Sequence, residues 1–113
     1  NGCKAIPMDR KTIEVTLKKY VRKISTVVNA RQIILYGSFA RGTATEWSDI
    51  DLLVIADFNK KKEFELMNKL SDIGSEIDNS RLFDVRVLQM KDYKNISHLS
   101  ILSEAKKEGI AIL

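Results

Sequence analysis

Apolar side chains recur every three or four residues between Thr12 and Val28, as they do along one side of an α-helix. The apolar positions are Ile13, Leu17, Val21, Ile24 and Val28, and the basic residues Lys18, Lys19, Arg22 and Lys23 fill the other side. This spacing predicts an amphipathic helix that packs its apolar side against the rest of the protein.

Short apolar runs rich in β-branched residues predict the strands. Arg31–Tyr36 ends at Gly37 and predicts a buried strand, and Ile50–Ala56 predicts a second one. Leu82–Leu88 alternates enough to be a third strand, and Ile110–Leu113 is short enough for an edge strand.

The remaining segments predict two further helices and one polar loop. Asn59–Ile77 carries apolar residues at helical spacing and begins with a suitable N-cap residue, and Ser97–Lys107 precedes the helix-ending Gly109. Ser38–Ser48 is polar and non-periodic, with room for a single helical turn beginning at Ser38. Trp47 is expected to anchor this loop against the sheet.

Helix, strand, strand, helix, strand, helix is not the regular alternation of a doubly wound fold. The order predicts an α+β protein with a small mixed β-sheet backed by helices. At 113 residues the chain is expected to form one domain over 12–113, with 1–11 as an N-terminal extension, either native or introduced.

Composition and charge bear on the binding partners of the protein, on membrane insertion and on its cellular compartment. The 19 Lys and Arg against 15 Asp and Glu give +4, and residues 1–31 alone carry +6. The first helix is therefore either a solvated basic face or a surface that attracts phosphates or an acidic partner. The longest apolar run, Leu52–Ala56, is too short to cross a membrane, and a lone cysteine, Cys3, suits a reducing cytoplasm.

Candidate chemistry lies where the first strand ends and the second begins. Gly37 allows a sharp turn, and Ser38 behind it offers a hydroxyl and backbone amides to a phosphate. Asp49 and Asp51 stand two residues apart at the head of the second strand, so their carboxylates share one face. Like charges in this position favour a bridging cation, and Mg²⁺, which binds carboxylates together with substrate phosphates, is the first choice.

A third acid, Asp84, lies in the third strand, and its face is opposite to that of Phe83 and Val85. It either joins the same cleft or pairs with Arg86, which shares its face two residues further on. Both interpretations are compatible with the alternation of the strand.

These residues resemble a known motif. Gly-Ser-Phe-Ala-Arg-Gly at 37–42, followed by Ser-Asp-Ile-Asp-Leu-Leu-Val at 48–54, is similar to the signature of the minimal nucleotidyltransferases of the DNA polymerase beta superfamily. The resemblance covers roughly residues 12–113, and the superfamily's downstream strand acid matches Asp84. It implies a polymerase beta palm-like fold.

The resemblance also implies a reaction and a set of roles. A nucleoside monophosphate, AMP above all, would pass from ATP or another nucleoside triphosphate to an acceptor hydroxyl. Asp49, Asp51 and Asp84 would hold two Mg²⁺ ions, for which Mn²⁺ can substitute, while Gly37 and Ser38 would hold the terminal phosphates. Arg41 is a further candidate phosphate contact.

Small members of this family are often antitoxins that adenylylate a partner toxin of the HEPN class, so the resemblance implies such a partner. Two alternatives remain: a binding module that neutralises its partner by occlusion, and a homo-oligomer that modifies a small molecule such as an aminoglycoside. Direct action on nucleic acid is not expected, because +4 is a modest charge for duplex binding and no template-binding segment is present.

Overall fold

The computed structural model describes residues 7–96 and 102–113. Its helices are α1 (Glu14–Ile24), α2 (Ser38–Arg41), α3 (Glu63–Ile77), α4 (Met90–Lys94) and α5 (Ser103–Glu108), and its strands are β1 (Asn29–Tyr36), β2 (Ile50–Asp57), β3 (Phe83–Leu88) and β4 (Ile110–Ala111). None of these helices is long and apolar enough to span a membrane.

The four strands form one mixed sheet in the order β3-β2-β1-β4. Strand β1 runs antiparallel to both β2 and β4, whereas β2 and β3 are parallel and are joined by α3. This confirms the predicted α+β class, with a small mixed sheet backed by helices.

The two faces of the sheet are covered unequally. One face packs against α1 and α3 and holds most of the buried apolar side chains, including Ile33, Leu35, Leu52, Val54, Val85 and Val87. The opposite face carries a smaller cluster with α4 and α5, formed by Ile34, Tyr36, Leu53, Ile55 and Ala105. Among the described residues, this second layer is therefore the smaller of the two.

Most predicted elements are present, but their ends differ from the pattern. Helix α1 ends at Ile24, four residues before the expected end, because the hydroxyls of Ser25 and Thr26 donate to the carbonyls of Val21 and Lys23. Those local hydrogen bonds compete with continuation of the helix. Strand β1 therefore begins at Asn29, before the expected start.

The predicted cap of α3 is confirmed, and one helix was missed. Asn59 accepts a hydrogen bond from the backbone N–H of Lys61 and opens a 3-10 turn that leads into α3. The short helix α4 was not predicted, because five residues are too few to show helical periodicity. The expected helix over 97–107 is present from Ser103, and residues 97–101 lie outside the described part.

Candidate active site

The turn between β1 and α2 places the candidate phosphate-binding residues. Gly37 has φ +73° and ψ −153°, a backbone conformation that residues with a Cβ rarely adopt. Ser38 follows at once and begins the single turn of α2, so the predicted helical turn is confirmed. A Cβ added to Gly37 would overlap the carboxylate of Asp51. Glycine is therefore needed here both for the turn and for the close approach of this acid.

Three polar side chains form a row across the sheet. Tyr36 on β1 is the register partner of Asp51 on β2, and Asp51 is the register partner of Asp84 on β3. Register partners in neighbouring strands direct their side chains to the same face. The structure thus brings Asp51 and Asp84 together on the thinly covered face, as the alternation of the strands predicted.

The pKa of Asp51 reflects its burial and its neighbours. Burial of the carboxylate, followed by the charges of Asp84 and Asp49, raises the pKa of Asp51 to about 6 against the opposing effect of two arginines, Arg41 and Arg86. The ionised form of Asp51 is therefore disfavoured first by desolvation and second by the neighbouring negative charges.

Tyr36 belongs to the same electrostatic environment. Burial, followed by the charges of Asp84 and Asp51, raises the pKa of the Tyr36 hydroxyl to about 12. The phenol consequently stays protonated at neutral pH. Its position in the row became clear only from the strand register, because a tyrosine that ends a buried strand is indistinguishable in the sequence from an ordinary core residue.

Asp49 and Asp84 are placed differently from Asp51. Asp49 is exposed and lies just before β2, while Asp84 makes an ion pair of 3.4 Å with Arg86, the alternative that the sequence had left open. Within residues 7–96 and 102–113, no three His, Cys, Asp or Glu side chains stand close enough together to hold a metal ion. The structure therefore brings two of the three candidate ligands together and leaves the third beside them.

The donor set nevertheless fits a hard divalent cation. Asp51 and Asp84 offer carboxylate oxygens from adjacent strands, which is the ligand type that Mg²⁺ prefers. A bound divalent cation would offset the burial and the neighbouring negative charges that raise the pKa of Asp51.

Arg41 does not point to a free phosphate position. Its guanidinium forms an ion pair with Glu104 and lies 3.8 Å from the carboxylate of Glu108, both on α5. The predicted phosphate contact would need Arg41 to exchange these carboxylates for a phosphate. This pairing could not be foreseen, because α5 is more than sixty positions away in the sequence.

The loop before β2 is held by Arg81 and not by Trp47. Trp47 is 78% exposed, so the expectation that it anchors the loop is wrong. The guanidinium of Arg81 lies 3.4 Å from the carbonyl oxygens of Glu46 and Ser48, and 5.3 Å from the ring centre of Phe39. One cation thus satisfies the loop carbonyls and stacks on an aromatic ring, which leaves the indole free.

Comparison with known proteins agrees with this geometry. A family model described as a nucleotidyltransferase domain matches residues 15–112. The chain belongs to the nucleotidyltransferase domain family. This confirms the resemblance drawn from the two motifs, one at 37–42 and one at 48–54.

Relatives in Methanocaldococcus jannaschii carry provisional names as protein adenylyltransferases. MJ1305 is 41% identical over 71 residues, which cover 61% of this chain and 48% of that protein. MJ0604 is 32% identical over 81 residues, which cover 66% of this chain and 81% of that protein. The chain thus spans about half of MJ1305 and most of MJ0604.

Solved structures share the fold. A provisionally named nucleotidyltransferase from Sulfolobus solfataricus matches with a TM-score of 0.58 at 19% identity, covering 86% of this chain and 76% of that one. A structure described as the toxin-antitoxin with AMP-PNP matches with a TM-score of 0.53 at 24% identity, covering 88% and 72%. At these identities the similarity supports the architecture of the sheet and its helices.

Proposed function

We propose that this nucleotidyltransferase domain transfers a nucleoside monophosphate, AMP in the first instance, from ATP or another nucleoside triphosphate to a hydroxyl group on a partner protein. The observation that carries the proposal is the close approach of Asp51 to Gly37, with Asp84 as its register neighbour. The proposed phosphate-binding turn and a pair of carboxylates then lie next to each other. Relatives named as protein adenylyltransferases support a protein as the acceptor.

Each residue has a proposed role. Asp49 and Asp51 would bind divalent ions, and Asp84 would leave its ion pair with Arg86 to complete the second ion site. Gly37 and Ser38 would hold the terminal phosphates of the nucleotide. Two bound Mg²⁺ ions, or Mn²⁺ in their place, would neutralise the triphosphate and lower the pKa of the attacking hydroxyl.

The reaction is a substitution at the α-phosphorus. The hydroxyl oxygen of the acceptor forms a bond to this phosphorus, the bond from the α-phosphorus to the bridging oxygen of the β-phosphate breaks, and pyrophosphate leaves. The hydroxyl proton passes to the carboxylate of Asp84. The protein contributes by holding the reacting groups in line, which removes much of their orientational entropy from the barrier.

The proposed partner is a toxin of the HEPN class, with this chain as its antitoxin. A solved toxin–antitoxin complex has the same fold, which supports the pairing. We place the reaction in the cytoplasm, and we assign it to a single domain over residues 12–113, with 1–11 as an extension. The described start of that extension touches the loop before β2, because the backbone N–H of Met8 donates to the carbonyl of Ala44.

Label transfer tests the proposal. The purified chain is incubated with Mg²⁺, a HEPN-class toxin and ATP labelled on the α-phosphate. We expect label on the toxin, none when the label is on the γ-phosphate, and none after chelation of Mg²⁺. Asp49→Asn combined with Asp51→Asn should abolish transfer, whereas Asp72→Asn, which removes an exposed acid of α3, should not. Labelling that survives the double substitution would show that the site assignment is wrong.

Neutralisation by occlusion is the second candidate, and the ion pairs of the site favour it. Asp84 is paired with Arg86, and Arg41 is paired with two glutamates, so both arginines near Asp51 are already engaged. A chain that acts only by binding would keep its ability to neutralise the toxin after Asp49→Asn and Asp51→Asn. Loss of neutralisation in that variant, with complex formation intact, would exclude occlusion.

A further inference from the structure

A groove of about 650 Å³ runs between α1 and β4, on the side of the sheet opposite to the row of carboxylates. Its apolar floor consists of the side chains of Leu17 and Val21 from α1 and of Ile110 and Ile112 from the β4 segment. Leu17 is buried and the other three are half-buried, so the groove exposes apolar surface that residues 7–96 and 102–113 do not cover.

Strand β4 lies at an edge of the sheet, and its backbone hydrogen bonds in the sheet are made to β1. The backbone N–H of Ile112 donates to the carbonyl of Ile33 on β1, at 2.8 Å. Because these groups alternate in direction along an antiparallel strand, the N–H and C=O of Ala111 point away from β1. They face the position that a fifth strand would take, and side chains of such a strand would enter the groove below α1.

The rim of the groove is basic. Arg10, Lys11, Lys18 and Arg22 line it, together with a single acid, Glu14, which is 3.4 Å from Lys18. Arg10 lies in a 3-10 turn (Arg10–Ile13) and Arg22 lies in α1, so the twelve positions between them span at most about 20 Å, the length of an extended segment of about six residues. Positive charge therefore lies along the length of one short strand.

We infer that this groove binds an extended segment of the partner protein as an added strand on β4, with apolar side chains at its centre and acidic side chains at its ends. The inference rests on the proposed function in taking the acceptor to be a protein. Backbone hydrogen bonds to Ala111 contribute affinity. The apolar floor and the basic rim make the groove specific for a segment with apolar and acidic side chains.

A second copy of the chain does not fit this groove through its own β4 edge. The segment 109–113 contains no acid, so pairing of two β4 edges would place one basic rim against the other. Nucleic acid does not fit either, because its phosphates would match the rim but leave the apolar floor uncovered. An acidic, partly apolar strand matches both features.

Peptide binding tests the inference. The probe is the fluorescent peptide Glu-Thr-Val-Thr-Val-Thr-Glu, whose alternate positions present two valines flanked by two acids. We expect saturable binding by fluorescence anisotropy, and binding at least about tenfold weaker for the same peptide with lysine in place of each glutamate. A single-stranded RNA of similar length should not compete. Equal binding of the lysine peptide, or displacement by the RNA, would overturn the inference.

Two pairs of variants locate the binding site. Lys18→Glu with Arg22→Glu should weaken binding at least about tenfold, whereas Lys19→Glu with Lys23→Glu, the same charge change on α1 outside this groove, should not. Ala111→Pro removes the outward N–H, which makes no bond to β1, and also fixes φ there; it should abolish binding, whereas Ala111→Val keeps that donor and should bind normally. Unchanged binding by a folded Ala111→Pro protein would exclude the added strand.

The peptide-binding test of this groove can fail or succeed independently of the proposed nucleotidyl transfer. The anisotropy measurement needs no nucleotide and no metal ion, and it can be repeated on the variant with both Asp49→Asn and Asp51→Asn. Binding by that variant with no label transfer by the unmodified chain would reject the enzymatic proposal and keep the docking site. Label transfer without any peptide binding would reject the docking site and keep the enzymatic proposal.

Discussion

Replacing Asp51 with asparagine should make the metal-free protein more stable at alkaline pH. Asparagine has the size of aspartate but no charge, so Asp51→Asn removes the repulsion from Asp84 and Asp49 and the cost of burying a carboxylate. The residue that we assign to metal binding thus destabilises the fold when no cation is present. A gain in stability with a loss of activity is the trade-off expected at a residue that is kept for function at the expense of the fold.

The raised pKa gives the magnitude and the sign. The pKa of Asp51 is 3.8 in the unfolded chain and about 6 in the folded one. At about 1.4 kcal/mol for each pH unit, this difference gives a ceiling of about 3 kcal/mol, which solvent screening of the half-buried carboxylate reduces to about 1–2 kcal/mol. Because the folded pKa is the higher one, the penalty is fully present above pH 6 and fades as the pH falls towards 4.

Urea unfolding in the presence of EDTA measures this effect. At pH 8, Asp51→Asn should raise the free energy of unfolding by about 1–2 kcal/mol with an unchanged dependence on urea, and at pH 4.5 the gain should fall to about a third. Asp72→Asn, which removes an exposed acid from α3, should show no such pH-dependent gain. If Asp51→Asn gains nothing at pH 8, or gains equally at both pH values, the electrostatic account of the row is incorrect.

Three further substitutions, and Gly42→Ala as a control for the first, test the packing by urea unfolding. Gly37→Ala meets both a positive φ and the Asp51 carboxylate and should cost about 1–3 kcal/mol and displace that acid, whereas Gly42→Ala, at φ +77° with open space around it, should cost only about 1 kcal/mol. Gly74→Ala should destabilise by about 1–3 kcal/mol, although alanine favours helices, because its Cβ would overlap the Phe83 ring; a stabilised variant would contradict that packing. Tyr20→Phe should cost about 1 kcal/mol, since the buried Tyr20 hydroxyl donates to a carbonyl of α3 at 2.9 Å, and no loss would mean that this bond contributes nothing.

Much of the fold could be predicted because its strands are short apolar runs with clear ends. Gly37 ends β1, and Asn59 opens the turn into α3, so local chemistry marks these boundaries. The end of α1 was missed because Val28 continues the apolar spacing while Ser25 and Thr26 stop the helix through side-chain hydrogen bonds. Periodicity reports which side is buried, and it does not report which backbone carbonyls are already occupied.

The candidate site likewise has some features that the sequence predicts and others that depend on tertiary packing. The turn at Gly37 and the two aspartates of the second motif are close in sequence, so their spacing could be read directly. The partners of the arginines depend on tertiary packing: Arg41 meets α5, and Arg81 takes over the loop contact that was expected of Trp47. Which acceptor an arginine pairs with across the fold is not indicated by any pattern in the sequence around it.

The contact between Gly74 and Phe83 links the alignment of the row of Tyr36, Asp51 and Asp84 to the packing on the opposite face of the sheet. Phe83 precedes Asp84 by one residue, and its ring occupies the space that a side chain at Gly74 would fill. A shift of β3 by one residue would remove the Phe83 ring from its contact with Gly74. It would also turn the Asp84 side chain towards the apolar face that packs against α1 and α3. Transfer of this row of side chains to another scaffold would therefore also require the packing of Phe83 against Gly74 on the opposite face of the sheet.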